Sequence, residues 1–192
     1  GQEVPTRWLD ERIILHHTIC LQGYDIELGA FTSAFGSREL DASALILPMI
    51  GFLPFEDPRV QSTMRSLQEK LSENILLHRY RSADGLPGMD GVHLMSSFLF
   101  ISCLALVGRV DEASDRLAEL CTYATPLGLF GEQLQIETGE TTGNFPSAAV
   151  HLGLINAALY VGAARGRSRV QGLKLVGMAE PASAASSKSR SA

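Results

Sequence analysis

The stretch Val92-His-Leu-Met-Ser-Ser-Phe-Leu-Phe-Ile-Ser-Cys-Leu-Ala-Leu-Val107 is the longest apolar run in this sequence of 192 residues. It is 16 residues long and is interrupted by one histidine and three serines. A membrane-spanning helix needs about 20 predominantly apolar residues. We therefore predict a helix over 92–107, ended by Gly108, that is buried in a protein core and not in a bilayer.

Further helices are predicted on both sides of this run. Apolar residues at helical spacing, with glycines and prolines at the ends, predict helices over 8–21, 58–74, 111–125 and 146–164. Pro58 and Pro146 are expected in the first turns of their helices, and Asp41 is expected to cap a short helix near residue 44. No run of short alternating strands is present, so the sequence predicts an all-α scaffold.

Two glycine-containing connections, 24–38 and 127–145, separate these helices. The first is predicted to be an extended loop or a short hairpin. Loops longer than about 12–15 residues are uncommon unless they have a function. We therefore expect functional residues in long loops at one end of a helical scaffold.

The charge is unevenly distributed along the chain. The net charge is −5, which argues against a nucleic-acid partner because such proteins normally carry a basic face. Residues 165–192 contain six basic residues and one acid, together with many alanines and serines. This segment is predicted to be a disordered basic tail.

The cysteines and histidines give no sign of a metal or a cofactor. The three cysteines form no Cys-x-x-Cys pair, so reduced, buried thiols in a cytoplasmic protein without a membrane anchor or a signal peptide are expected. The histidines show no metal-binding spacing, and no glycine-rich nucleotide motif is present. We expect His151 to be a satisfied structural histidine.

Five segments, in order along the chain, carry a family resemblance over roughly residues 8–162: Phe35-Gly-Ser-Arg-Glu-Leu-Asp-Ala-Ser43, Gly51-Phe-Leu-Pro54 with Asp57-Pro-Arg59, Tyr80-Arg81 with Asp84-Gly-Leu-Pro87, Ala105-Leu-Val-Gly-Arg-Val-Asp-Glu-Ala113, and Gly128-Leu-Phe-Gly-Glu-Gln-Leu-Gln-Ile-Glu-Thr-Gly-Glu140 followed by Gly143-Asn-Phe-Pro146 and His151-Leu-Gly-Leu-Ile-Asn-Ala-Ala158. Together they resemble glycoside hydrolase family 15, which contains glucoamylases and bacterial glucoamylase-like trehalases. The resemblance implies that residues 1–164 form roughly the C-terminal half of an (α/α)6 toroid whose loops bind a sugar.

The resemblance also implies an inverting hydrolysis of α-linked glucose, in a starch-type oligosaccharide or in trehalose. Inversion needs two carboxyl groups about 6.5–9.5 Å apart, one to protonate the leaving oxygen and one to activate water. Glu132 in Phe130-Gly-Glu-Gln133 corresponds to the general base. Its neighbour Gln133 is the first candidate for substrate binding.

Three other residues are candidates for sugar binding by resemblance. Arg38 and Asp41 are similar to an arginine and aspartate pair that grips sugar hydroxyls, since a guanidinium offers a rigid fork of donors. The alternative is that Asp41 only caps a helix and Arg38 is exposed. Asp90 stands where relatives carry a glutamate, and His93 stands where relatives carry an aromatic residue that walls the pocket.

No segment resembles the tryptophan- and glutamate-containing loop that carries the family's general acid. Without an acid the leaving group would depart as an alkoxide, so we expect this chain alone to be inactive and to need an N-terminal half as partner. Gly1 would then mark a cut end, and uncovered helices would favour self-association. The competing hypothesis is a non-catalytic helical domain, truncated or decayed, that retains at most carbohydrate binding.

Overall fold

The fold is helical, as predicted, in a computed structural model that describes residues 4–83, 85 and 91–166. Its helices are α1 (Thr6–Gln22), a 3-10 turn (Ala42–Leu45), α2 (Ile46–Met49), α3 (Pro58–Leu71), α4 (Leu94–Leu106), α5 (Val110–Cys121) and α6 (Ala148–Ala164). Asp41 caps the 3-10 turn, because its side chain accepts a hydrogen bond from the backbone N–H of Ser43 at 2.7 Å. The predicted cap is confirmed.

Short strands lie in the connections between the helices. They are β1 (Tyr24–Asp25), β2 (Ala30–Phe31), β3 (Ser72–Glu73), β4 (Leu76–Leu77), β5 (Val92–His93), β6 (Gln133–Leu134) and β7 (Thr141–Thr142). They form three antiparallel sheets with the orders β1-β2, β3-β4 and β5-β6-β7. The hairpin alternative for 24–38 is confirmed, whereas the sequence predicted none of the other strands.

The predicted start of the long apolar helix is wrong by two residues. Val92 and His93 pair with Leu134 and Gln133 in β6, so their backbone groups are used by the sheet and α4 begins only at Leu94. Pro146 likewise precedes its helix, because Ser147 is the N-cap of α6. Both helices therefore begin two residues later than predicted, α4 at Leu94 and α6 at Ala148.

Helix α4 is the centre of the core. Its residues Phe98, Phe100, Ile101 and Leu104 are fully buried, and it packs between α5 and α6. Gly153 of α6 lets the two helices approach closely: a Cβ atom there would lie 2.7 Å from Sδ of Met95 and 3.1 Å from Cβ of Phe98. The four residues predicted to form one face of α3 are also buried: Val60, Met64, Leu67 and Leu71.

Helix α1 contributes no buried residue to this core. Six of its large apolar side chains remain exposed, on more than one side of the helix, and we call this set the exposed apolar residues of α1: Trp8, Leu9, Ile13, Ile14, Leu15 and Leu21. An amphipathic helix normally covers its apolar side with another element. The predicted helix is present, but within the described part of the chain these six side chains are left largely exposed.

The cysteines do not all behave as expected. Cys103 is buried, Cys20 is partly buried and Cys121 is exposed, all three as free thiols. The expectation of buried thiols is therefore wrong for Cys121, which sits at the C-terminal end of α5. Burial raises the pKa of Cys103 to about 12.

Some expectations fall outside the described residues. Asp90 and the tail from residue 167 onward are among them. No helix of the described residues has both the length and the apolar character that crossing a membrane would require.

Candidate functional site

The backbone of Glu132 is held on both sides just before β6. Its N–H donates to the carbonyl oxygen of Asn144 at 3.0 Å, and its carbonyl oxygen accepts from the N–H of Leu94 at 3.2 Å. Two residues earlier, the buried ring of Phe130 packs edge-to-face on Phe98, with ring centroids 5.5 Å apart. The core therefore fixes the position of the loop that carries Glu132.

The carboxylate of Glu132 is bound through one oxygen. Oε2 accepts two hydrogen bonds from Asn144, one from the backbone N–H at 3.0 Å and one from Nδ2 at 2.7 Å. Among the described residues, Oε1 accepts no hydrogen bond. The side chain is half-buried, so Oε1 is the oxygen available to a ligand.

Glu132 lies on the wall of a small cleft of about 40 Å³. The cleft is lined by residues of three separate segments: Arg79, Tyr80, Gly91, His93, Glu132 and Gln133. Typical ligand pockets measure about 300–1,000 Å³. The cleft that the described residues form is therefore too small to enclose a sugar.

Arg79 joins the predicted Asp41 to this cleft. Its Nε lies 3.7 Å from Oδ2 of Asp41, its guanidinium lies 5.6 Å from the ring centroid of Tyr80, and its carbonyl oxygen accepts from the N–H of Ala42 at 2.8 Å. The family resemblance rests on Tyr80-Arg81 and misses Arg79. The sequence signal that could have identified Arg79 is its position directly before Tyr80-Arg81.

Arg38 is placed elsewhere. Its guanidinium pairs with Glu27 at 3.1 Å and with Asp25 at 3.7 Å, beside the β1-β2 hairpin, and its side chain is 63% exposed. Among the ion pairs of the described residues, Asp41 pairs with Arg79 and not with Arg38. The structure thus separates the pair that the sequence joined, and a sugar-binding role for Arg38 stays a prediction.

Gln133 and His93 lie beside Glu132 in the cleft. Oε1 of Gln133 accepts from the N–H of Gly91 at 3.3 Å and from Oγ1 of Thr142 at 3.4 Å. This leaves its Nε2 as the donating end of the amide. His93, which replaces the aromatic residue of the resemblance, still lines the cleft, with Nδ1 2.7 Å from Oγ of Ser96.

His151 differs from its expected role. Its Nδ1 donates to the carbonyl oxygen of Ser147 at 2.7 Å, but its buried Nε2 has no partner among the described residues. The expectation of a fully satisfied histidine is therefore wrong for one ring nitrogen. In the described part of the chain, no three histidine, cysteine, aspartate or glutamate side chains are grouped to hold a metal ion.

Comparisons with known sequences agree with the family resemblance. Residues 5–98 match the profile described as glycosyl hydrolases family 15. The trehalase of Thermoplasma acidophilum is 36% identical over 153 residues, which cover 79% of this chain and 26% of the relative. The trehalase of Mycobacterium tuberculosis is 40% identical over 136 residues, which cover 69% of this chain and 20% of the relative.

Solved structures show the same fold. A glycosidase in complex with glucose superposes with a TM-score of 0.70 at 19% identity, over 80% of this chain and 44% of the glycosidase. The wild-type glycosidase superposes with a TM-score of 0.68 over the same shares, also at 19% identity. The predicted all-α architecture, part of a helical toroid, is confirmed.

The sequence matches thus define the class of protein: the chain is related to glycoside hydrolase family 15. Within that class its relationship is trehalase-like. The chain spans about a fifth to a quarter of the length of the two trehalases.

Proposed function

We propose that this chain carries the general-base side of an inverting glycoside hydrolase that acts on trehalose or a similar α-linked glucoside. The observation that carries the proposal is the position of Glu132 on the wall of the cleft, where Asn144 holds its carboxylate through Oε2 and no other described residue donates a hydrogen bond to Oε1. In the reaction, Oε1 accepts a proton from water as the water oxygen attacks the anomeric carbon. The second carboxyl group gives its proton to the departing glycosidic oxygen, so the proton count balances.

Arg79 and Gln133 are the proposed sugar-binding groups beside this base. The guanidinium of Arg79 lines the cleft and is held by Asp41 at 3.7 Å. The amide Nε2 of Gln133 adds a donor next to Glu132. Donors of fixed direction suit sugar hydroxyls, since each hydroxyl can accept a hydrogen bond.

Trehalose is the favoured substrate because the relatives from Thermoplasma acidophilum and Mycobacterium tuberculosis both bear the name trehalase. A disaccharide needs a larger site than the cleft that the described residues form. The cleft measures about 40 Å³, far below the size of a pocket that binds a small ligand. A further segment must supply the remaining wall.

We propose that this segment is the N-terminal half of the same toroid, which would also carry the general acid. The exposed apolar residues of α1 support this, because a helix with six exposed large apolar side chains is suited to contact further helices. The match also covers only 44% of the glycosidase, so the glycosidase is more than twice as long as the part that this chain matches. The chain alone should therefore hydrolyse neither trehalose nor maltooligosaccharides.

The proposal can be tested in a chimeric trehalase. In the Mycobacterium tuberculosis relative, the portion matched over 136 residues is replaced by this chain, and trehalose hydrolysis is followed by proton NMR. Inversion at one ring releases one β-glucose and one α-glucose per trehalose, whereas retention would release only α-glucose. Glu132→Gln should lower kcat by about 10²–10⁴-fold.

Glu137→Gln is the matched control, since Glu137 lies in the same loop and is exposed. It should leave the rate unchanged. A chimera that folds and hydrolyses trehalose equally well with Glu132→Gln would refute the assignment of the base. Hydrolysis by the isolated chain would show that a carboxyl group within it, such as Asp90, acts as the acid.

A folded chimera that binds glucose but hydrolyses nothing would favour the second hypothesis, a non-catalytic sugar-binding domain. This hypothesis is favoured by His93, which lines the cleft at the position where the resemblance has an aromatic residue. Calorimetric titration with glucose distinguishes the two, since binding without turnover belongs only to the second.

A further inference from the structure

The loop from 132 to 144 returns on itself and brings a second residue against the Glu132 carboxylate. β6 and β7 pair with Gln133 opposite Thr142 and Leu134 opposite Thr141. This register places Gly143 and Asn144 beside Glu132. We infer that Asn144 is a positioning residue, which holds Oε2 so that Oε1 alone serves as the proton acceptor; the inference rests on the proposed function.

The first support is that both donors of Asn144 converge on one oxygen atom. The backbone N–H reaches Oε2 at 3.0 Å and Nδ2 reaches the same atom at 2.7 Å. Hydrogen bonds to an ionised acceptor are shorter and stronger than neutral ones. Two of them from one residue fix the rotation of the carboxylate and leave its other oxygen without a hydrogen bond from the described residues.

The second support is the space at Gly143. A Cβ atom on this residue would lie 2.8 Å from Oε2 of Glu132 and 3.0 Å from its Cβ. Gly143 also has a φ of 75°, a left-handed conformation that other residues adopt at a cost. The close approach of Asn144 to the carboxylate therefore depends on glycine at this position.

The third support is the exposure of Asn144. Its side chain is exposed and belongs to no part of the core. The loop end is tied down by backbone bonds, including the one from Glu132 N–H to the carbonyl oxygen of Asn144 at 3.0 Å. Replacing the side chain removes one donor to Oε2 and disturbs no packing, so its effect reports on positioning.

The contact itself can be tested in the full chain by NMR. In ¹⁵N-labelled protein, the backbone and side-chain N–H signals of Asn144 should move when the Glu132 carboxylate is protonated with acid. This movement should be lost in Glu132→Gln, while the signals of the exposed helix residue Asn156 stay unchanged in both proteins. Asn144 signals that are the same in both proteins would overturn the inference.

The role is then measured in the chimeric trehalase. Asn144→Ala should lower kcat by about 10-fold to 100-fold with KM unchanged, because a displacement of about 1 Å in a catalytic group can cost 10²-fold. Asn144→Ser, which restores a short donor, should recover part of the loss. Asn156→Ala, on the exposed side of α6, should have no effect. An unchanged kcat in Asn144→Ala would overturn the inference.

The two readouts separate the inference from the proposed function. If the NMR coupling is present and both Asn144→Ala and Glu132→Gln remain active, Glu132 is not the base, and both ideas fall. If Glu132→Gln is inactive while Asn144→Ala is fully active, the base assignment stands and only the positioning role is wrong.

Discussion

The Nε atom of Arg79 lies 3.7 Å from Oδ2 of Asp41, and this pair connects two loops that are 38 residues apart in sequence. Asp41 is also tied to the backbone N–H of Ser43 at 2.7 Å. A carboxylate fixed in this way holds the guanidinium over the Tyr80 ring and at the cleft. Asp41 is thus linked to the cleft through Arg79, and variants of Arg79 test whether this link matters for sugar binding.

Arg79→Ala should raise KM for trehalose and lower kcat/KM by about tenfold to a hundredfold, since hydrogen bonds to charged groups contribute about 1.5–3 kcal/mol. Arg79→Lys should recover little, because an ammonium lacks the planar fork. Steady-state kinetics of the chimeric trehalase measure both.

The comparison variant is Arg38→Ala, because the resemblance assigned sugar binding to Arg38. Its guanidinium pairs with Asp25 and Glu27, so kcat/KM should stay within about twofold of the unmodified chimera. A larger loss for Arg38→Ala than for Arg79→Ala would return the sugar-binding role to Arg38.

Gly153→Ala should lower the free energy of unfolding by about 1–3 kcal/mol, because its Cβ would lie 2.7 Å from Met95 Sδ and 3.1 Å from Phe98 Cβ. Gly162→Ala is the matched control on the same helix, where an added Cβ meets nothing within 4 Å. Removing a helical glycine there should stabilise by about 0.5–1 kcal/mol. Denaturant titrations measure the difference, provided that the unfolding free energy depends on denaturant concentration with the same slope in each protein. Equal effects of the two changes would contradict the close packing of α4 and α6.

Asp57→Asn should reduce stability at neutral pH but not in acid. Arg59 donates to both oxygens of Asp57, Nε to Oδ1 at 3.0 Å and Nη2 to Oδ2 at 2.7 Å, and this hydrogen bonding lowers the pKa of the Asp57 carboxyl. A lowered pKa adds stability above the unfolded value of about 3.9, and the stability is lost as the pH falls through the folded value.

The unfolding free energies of the unmodified chain and Asp57→Asn should therefore differ by roughly 1 kcal/mol at pH 7 and converge in acid. Urea titrations across this pH range provide the measurement. Asp111→Asn is the control, since the Asp111 side chain is 99% exposed in its pair with Arg165 and such pairs contribute little. A gap for Asp57→Asn that widens in acid would contradict the assigned pKa direction.

The isolated chain should self-associate through the exposed apolar residues of α1. Trp8 is 59% exposed and Leu15 is 58% exposed, and they lie seven residues apart, on the same side of the helix. Introducing Trp8→Glu together with Leu15→Glu should shift the chain toward the monomer in sedimentation velocity. Ile26→Glu, in the β1-β2 turn and 88% exposed, should not. A monomeric unmodified chain at micromolar concentration would show that α1 is not an association surface.

The sequence by itself determined the positions of the long helices and the identity of the candidate base. Helical spacing is local, so the buried face of α3 (Val60, Met64, Leu67 and Leu71) follows from the order of residues alone. The cap at Asp41 is equally local, since it needs only the N–H two residues further on. Glu132 was identified through the motif around it.

Tertiary structure alone decided which residues meet. The strand at Val92 and His93 exists because β6, about 40 residues later, pairs with it, and no local pattern distinguishes these residues from the helix that follows. Asp41 meets its partner Arg79 only because two loops 38 residues apart in sequence come together, and Glu132 meets Asn144 only because β6 pairs with β7. Contacts of this kind depend on the path of the whole chain, whereas helix spacing and caps depend on neighbours within a few residues.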